Sequence, residues 1–222
     1  MSSREPFIWF DFGGVLSPPL SDLFAEYERR TRIPTEVLKE AMSAVARDMS
    51  VPTLAPIELG LLSEEEWVKR QHAYIAKRYP EVDTSFAENH FGRQWFESHE
   101  PNREMRQFVI DLVDEGYEVG ILSNNVIEWE PYWRKMVNLD HVVSDIVDSC
   151  KVGVRKPDPS IFRIAAERVG RKMENCILID DLEENCRSAR LCGWKSVQFV
   201  DTWQSIGKVR NLLEELRNHQ VG

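Results

Sequence analysis

The sequence predicts an α/β protein: a mostly parallel sheet covered by helices on both faces, with a helical insert after the first strand. Continuous apolar runs at Phe7-Ile8-Trp9-Phe10, Tyr117 to Leu122 and Cys176-Ile177-Leu178-Ile179 read as strands buried on both sides. Each run ends in polar residues: Asp11, Ser123-Asn124 and Asp180-Asp181. From Pro101 onward such runs alternate with amphipathic helical stretches, whereas residues 17–97 show helical periodicity and no convincing strand.

The elements follow in order. After the first strand, Ser17-Pro18-Pro19 marks a turn, and Leu20 to Thr31 and Pro34 to about Met49 read as helices. Val51 to Gly60 contains two prolines and a glycine, which forbid a regular helix and predict a shaped loop. A third helix, Ser63 to Tyr79, opens on the capping box Ser63-x-x-Glu66, and Asp83 to Phe96 is expected to be a fourth. Met105, Phe108, Val109, Leu112 and Val113 then mark a helix that Gly116 stops before the second strand. A helix near Glu128 to Val137, a strand near Val142 to Val147 and a helix from Asp158 to Val169 come next. The Cys176 strand, a helix from Glu183 to Leu191 and the strand Ser196 to Val200 follow. A last helix carries Ile206, Val209, Leu212, Leu213 and Leu216 on one face.

Composition narrows the function classes. The 222 residues carry a formal net charge of -9, which argues against a nucleic-acid backbone or an anionic membrane as main partner. No apolar stretch is long enough for a membrane helix, and Met-Ser-Ser-Arg-Glu-Pro has no signal-peptide core, so a cytoplasmic location is expected. Cys150, Cys176, Cys186 and Cys192 lack C-x-x-C spacing and read as reduced packing residues. His72, His90, His99, His141 and His219 form no H-x-x-x-H pair and read as surface or satisfied side chains. Trp67, Trp95, Trp129 and Trp133 read as core.

In open parallel sheets ligands bind beyond the carboxyl ends of the strands, where Asp11, Ser123 and Asp180-Asp181 are expected to meet. Clustered carboxylates raise one another's pKa unless a cation neutralises them, and hard oxygen ligands with substrate phosphate suit Mg²⁺. Ser123 and Asn124 offer neutral donors, and Lys156 in Gly153-Val154-Arg155-Lys156-Pro157 offers a positive charge. Attack by Asp11 on phosphorus would give an acyl phosphate, later released by water. Each residue alone has a plainer reading: Asp11 as a turn or cap, Asp180-Asp181 as helix caps, Lys156 as a solvated lysine. Recurrence at three strand ends favours the site. Ser123 has no histidine partner in sequence, so a Ser-His-Asp hydrolase is not favoured, and Pro157 excludes a P-loop.

Taken together, these segments resemble the haloacid dehalogenase-like hydrolases. Asp11-Phe12-Gly13-Gly14-Val15-Leu16 is similar to the first motif of that family and Leu122-Ser123-Asn124-Asn125 to the second. Arg155-Lys156-Pro157-Asp158-Pro159 is similar to the third, and Ile179-Asp180-Asp181-x3-Asn185 to the fourth. Within the family the likeness is to the phosphatase-like branch with sugar-1-phosphate phosphatases and the amino-terminal domain of soluble epoxide hydrolase. The resemblance implies a three-layer Rossmann-like core at residues 1–16 and 98–222 with a helical cap at 17–97. It implies Asp11 as nucleophile, and Asp11, the Gly13 carbonyl and Asp181 as Mg²⁺ ligands supported by Asp180 and Asn185. Ser123, Asn124 and Lys156 would bind phosphate, with Lys156 also catalytic, and Glu58-Leu59-Gly60 would be the substrate-facing loop of the cap.

Gly13 departs from the pattern, because many phosphatases of the family carry there an aspartate that acts as general acid and base. The reading that follows is a Mg²⁺-dependent phosphatase for a small phosphorylated metabolite with a good leaving group, such as an anomeric sugar phosphate, an acyl phosphate or an allylic phosphate. A cap residue or substrate hydroxyl could instead carry the proton, or turnover could be slow. The rival readings are a haloacid dehalogenase acting through an aspartyl ester and a phosphate-binding protein with weak catalysis. A monomer or homodimer is expected.

Overall fold

The computed structural model describes residues 5–221, with side chains through Asn218, so residues 1–4 and 222 and the side chain of His219 lie outside it. The chain runs β1 (Phe7–Phe10), α1 (Leu20–Thr31), α2 (Thr35–Asp48), a single turn α3 (Ala55–Glu58), α4 (Glu64–Arg78), α5 (Phe91–Phe96) and α6 (Arg103–Asp114). It continues through β2 (Glu118–Ser123), α7 (Glu130–Val137), β3 (Asp145–Asp148), a second single turn α8 (Ser149–Val152) and α9 (Pro159–Arg168). β4 (Cys176–Asp180), α10 (Glu183–Leu191), β5 (Lys195–Gln198) and α11 (Thr202–Val221) complete it. The strands form one sheet in the order β3-β2-β1-β4-β5, every pair parallel.

The period of two along β1 sorts its side chains between two interiors. Ile8 and Phe10 face a cluster with Met105, Phe108, Val109 and Leu112 of α6, while Phe7 and Trp9 face Ile161 and Phe162 of α9. All four β1 residues are fully buried, as expected of a central strand in a three-layer stack. The first interior does not stop at the sheet. It runs on into Leu23 and Tyr27 of α1, Leu38 of α2, Trp67 of α4 and Phe91 and Trp95 of α5. Gly92 permits the closest approach, since a Cβ there would lie 2.2 Å from Cδ1 of Trp129. The four tryptophans read as core are buried.

Several boundaries differ from expectation. Helix is confined to Phe91–Phe96 in the stretch read as helical from Asp83. There Asp83 Oδ1 accepts from the Ser85 amide at 2.8 Å, and Gln94 takes the Glu88 amide at 3.0 Å while donating to the Phe86 carbonyl at 2.9 Å. Side chains thus satisfy backbone groups that a helix would have paired. The loop 51–60 contains the turn α3, whose Pro56 sits in the first turn, where a missing amide costs nothing. β3 starts later than expected because the amides of Val142 and Val143 turn back to Leu139 O. β5 ends at Gln198, earlier than the expected Val200. Residues 17–97 hold α1 to α5 and, among the described residues, no strand. No helix of the described residues is long and apolar enough to cross a membrane.

Candidate active site

Strand register brings the polar residues together. Phe10 pairs with Ile121 on one side and Ile179 on the other, so Asp11 emerges level with Leu122 and Asp180. The Asp11 amide still donates to Ile179 O at 2.8 Å, which fixes its backbone as an extension of the strand. Asp11 Oδ1 accepts from the Phe12 amide at 2.7 Å and lies 2.9 Å from Lys156 Nζ. Lys156, 1% exposed, also contacts Asp180 Oδ2 at 2.6 Å and donates to Leu122 O at 2.8 Å. One buried ammonium therefore spends its three donors on the ends of β1, β2 and β4.

The charges do not balance. Carboxylate oxygens of Asp11, Asp180 and Asp181 lie within 4.8 Å of one another, and among the described residues Lys156 is the cation paired with them. Burial raises the Asp11 carboxyl, Lys156 draws it back, and Asp180 and Asp181 push it up again, to about 8. Burial opposes the charge on Lys156, but Asp11 and Asp180 outweigh it and hold the ammonium above its ordinary range. Burial and Asp180 also raise Asp181. A cluster with three carboxylates to one ammonium, all oxygen donors, fits a hard divalent cation, which Asp11, Asp180 and Asp181 could hold. Gly14 leaves room for Asp181: its φ is +72°, and a Cβ would stand 2.7 Å from Asp181 Oδ2.

Around this centre the expected residues divide. Ser123, 1% exposed at the tip of β2, has a buried hydroxyl with no hydrogen-bond partner. That orphan is an available contact for a phosphoryl oxygen. Asn124 is already engaged: Oδ1 accepts from the Lys156 amide at 2.7 Å and Nδ2 donates one hydrogen to Lys156 O at 2.9 Å. It clamps the lysine backbone and keeps its second Nδ2 hydrogen and its main-chain amide for a phosphate. Asn185 donates to Asp180 Oδ1 at 2.9 Å and keeps a buried, unpartnered Oδ1. Asp180 is fully committed, since Oδ1 takes Asn185 and the Leu182 amide and Oδ2 takes Lys156. Beside Gly13, the position of the absent acid, a Cβ would meet nothing within 4 Å.

The loop Glu58-Leu59-Gly60 lies against the same strand ends. Ser149 Oγ donates to Glu58 O at 2.6 Å and accepts from the Asn125 amide at 3.0 Å, tying the insert to the turn after β2. The Glu58 carboxylate, itself buried, lies 2.8 Å from Arg155 Nε. Burial raises Glu58, with Arg155 and Lys156 opposing the shift. Asn125, Ser149 and Arg155 carry no role in the sequence analysis, and the structure alone brings them to the strand ends. His99 also departs from expectation, for its Nε2 is buried and unpartnered. A cleft of about 850 Å³ between α5, α6 and α7 contains none of these site residues, so converging polar groups, not volume, locate the site.

Comparison with known proteins gives the family and the fold. A family model described as haloacid dehalogenase-like hydrolase matches residues 8–193. Bifunctional epoxide hydrolase 2 of Sus scrofa is 25% identical over 205 residues, covering 87% of this chain and 36% of that protein. The chain thus spans little more than a third of that relative's length. Phosphatase MT3486 of Mycobacterium tuberculosis is 23% identical over 182 residues, 81% of this chain and 70% of that protein. A HAD family enzyme of Bacteroides thetaiotaomicron, solved with magnesium and inorganic phosphate, aligns with a TM-score of 0.65 at 18% identity, over 87% of this chain and 93% of that one. At that identity the likeness is one of fold.

Proposed function

The chain belongs to the haloacid dehalogenase-like hydrolases, and from that premise we propose that it is a magnesium-dependent phosphatase acting on a small phosphorylated metabolite. The observation that carries this reading is the excess of three clustered carboxylates over one lysine at the tips of β1 and β4. A haloacid dehalogenase needs no cation, and a binding module needs no preset nucleophile; neither accounts for the cluster.

In this reading Asp11 attacks phosphorus, the bond to the leaving oxygen breaks, and an aspartyl-phosphate forms that water then hydrolyses. Lys156 holds the Asp11 carboxylate in place through Oδ1 and remains beside the transferred group. The Ser123 hydroxyl, with no partner of its own, receives a phosphoryl oxygen. Magnesium, held by Asp11, Asp181 and the Gly13 carbonyl, would neutralise the carboxylates and the phosphoryl charge. Asp180 positions Lys156 and Asn185. With glycine at position 13 no carboxyl group at that point protonates the leaving oxygen, which favours substrates whose leaving group is stable as an anion.

Phosphate release from p-nitrophenyl phosphate, with Mg²⁺ and after chelation, tests the proposal. Turnover that stops on chelation, returns with Mg²⁺ and is abolished by Asp11→Asn in a folded protein is expected. Turnover that survives chelation, or that survives Asp11→Asn, would overturn it.

A further inference from the structure

The cleft of about 850 Å³ between α5, α6 and α7 lies apart from the strand ends, and both the insert and the core line it. Arg93 and Phe96 come from α5, Arg106 from α6, and Tyr132 and Lys135 from α7. Glu97 to Pro101, the segment that leads from the insert back into the core, forms part of its wall. In a chain with a net charge of -9, this cleft is positive: four cations line it against two carboxylates. Most of these charges already have partners. Arg93 pairs with Glu88, Glu97 with Arg30, and Arg103 reaches Glu100 at 3.4 Å. Arg106 and Lys135 remain. Arg106 donates from Nε to Val137 O at 2.6 Å and from Nη2 to Asn138 O at 3.1 Å, neutral carbonyls that hold the guanidinium in place, and no carboxylate among the described residues pairs with it. The exposed Lys135 side chain has neither a hydrogen bond nor an ion pair among the described residues.

We propose that the cleft binds a small dianion, a phosphate monoester or a dicarboxylate, on Arg106 and Lys135 of the core and Arg93 of the insert, and so fastens the insert to the core. The volume is that of a small-molecule site. A guanidinium already fixed by two carbonyls loses little freedom when it meets an anion, and each bond it then makes is charge-assisted. Two uncompensated positive charges match two negative ones. A ligand shifts a conformational equilibrium only if it binds one arrangement better than another, and a cleft with walls from both parts meets that condition. The wall also touches the neighbour of the nucleophile: Phe96 packs on Phe12 with ring centroids 5.7 Å apart, and Phe12 follows Asp11. Binding is independent of the phosphatase reading; its effect on turnover rests on that reading.

Calorimetric titration of the full chain with succinate and with methylphosphonate, at low salt with Mg²⁺ present, tests the site and separates the two anion chemistries. At least one probe is expected to bind, about 5-fold more weakly in Lys135→Gln and more weakly still as salt is added. Without a probe, Lys135→Gln is expected to hydrolyse p-nitrophenyl phosphate as the unaltered protein does. The bound probe is expected to slow amide exchange from Glu97 to Glu100 and to lower KM for p-nitrophenyl phosphate about 5-fold or more, the lower end of typical coupling between sites. No binding of either probe at millimolar concentration, or binding that Lys135→Gln leaves unchanged, would overturn the site. A probe that raises KM by competing with p-nitrophenyl phosphate has bound beside Asp11 and overturns it equally. Binding in the cleft with exchange and KM both unchanged overturns the fastening of insert to core. A protein that releases no phosphate with or without probe refutes the phosphatase reading alone, because calorimetry and exchange need no turnover.

Discussion

Gly13→Asp is the substitution that most directly questions the missing-acid argument. The position tolerates a side chain, because a Cβ meets nothing within 4 Å and the backbone is outside the left-handed region that glycine alone favours. The backbone change introduces no strain, but a further carboxyl beside three others costs stability at neutral pH, so a denaturant midpoint for the variant, with and without Mg²⁺, accompanies the assay. The new carboxyl joins Asp11, Asp180 and Asp181, and like charges raise a carboxyl pKa, the direction a general acid requires. A positioned acid is worth ~10²–10⁴ in rate, or about 3–5 kcal/mol of barrier. The lower end, about 100-fold, is expected for alkyl phosphates, whose leaving oxygen needs a proton. p-Nitrophenyl phosphate, whose leaving group needs none, is expected to gain little. The assay is kcat/KM across leaving groups from acidic phenols to alkyl alcohols, for both proteins at saturating Mg²⁺. An equal gain for all leaving groups, or none despite an unchanged Mg²⁺ requirement, would refute the reasoning.

Other positions offer independent checks. Gly14→Ala puts a Cβ 2.7 Å from Asp181 Oδ2 at a φ of +72°, so Mg²⁺ titration of turnover is expected to show at least a roughly 10-fold weaker requirement constant, with part of the rate restored at high Mg²⁺. Asp148 is raised by burial from 3.8 to about 6, so it contributes stability that is full below 3.8 and is lost as pH rises through about 6. Asp148→Asn is therefore expected to exceed the unaltered protein in stability at pH 8 by up to about 3 kcal/mol, with the gap closing near pH 4; denaturant midpoints that differ equally at both pH values would contradict this. Gly92→Ala drives a methyl to 2.2 Å from the Trp129 ring and is expected to cost about 1–3 kcal/mol, read from the same midpoints.

What could be read from the sequence, and what could not, follows from the range of the forces involved. β1, β2 and β4 announce themselves because strands buried on both faces must be continuously apolar, and the residue after each run must be where the sheet ends. The limits of α1 and α10 were equally legible from local periodicity. The stretch before α5 was not, since Gln94 reaches back across six to eight residues to satisfy Glu88 and Phe86, a long-range bargain that periodicity does not encode. Asn124 shows the same limit within the site. Its position beside Ser123 suggested a phosphate donor, and nothing local announced that the same amide also brackets the backbone of Lys156, thirty-two residues on. Likewise the link from Glu58 through Ser149 to Asn125 spans three separate segments and has no local signature.

The interior shared between sheet and insert carries a further consequence. Phe12, next to Asp11, packs on Phe96 and Trp133, and Trp129 stacks on Phe91. An insert held this way is no detachable module. Grafting another relative's helices onto this scaffold would require transplanting the aromatic residues at positions 12, 129 and 133 with them, and a fragment lacking residues 17–97 would expose a sticky apolar face next to the carboxylate it was meant to shelter.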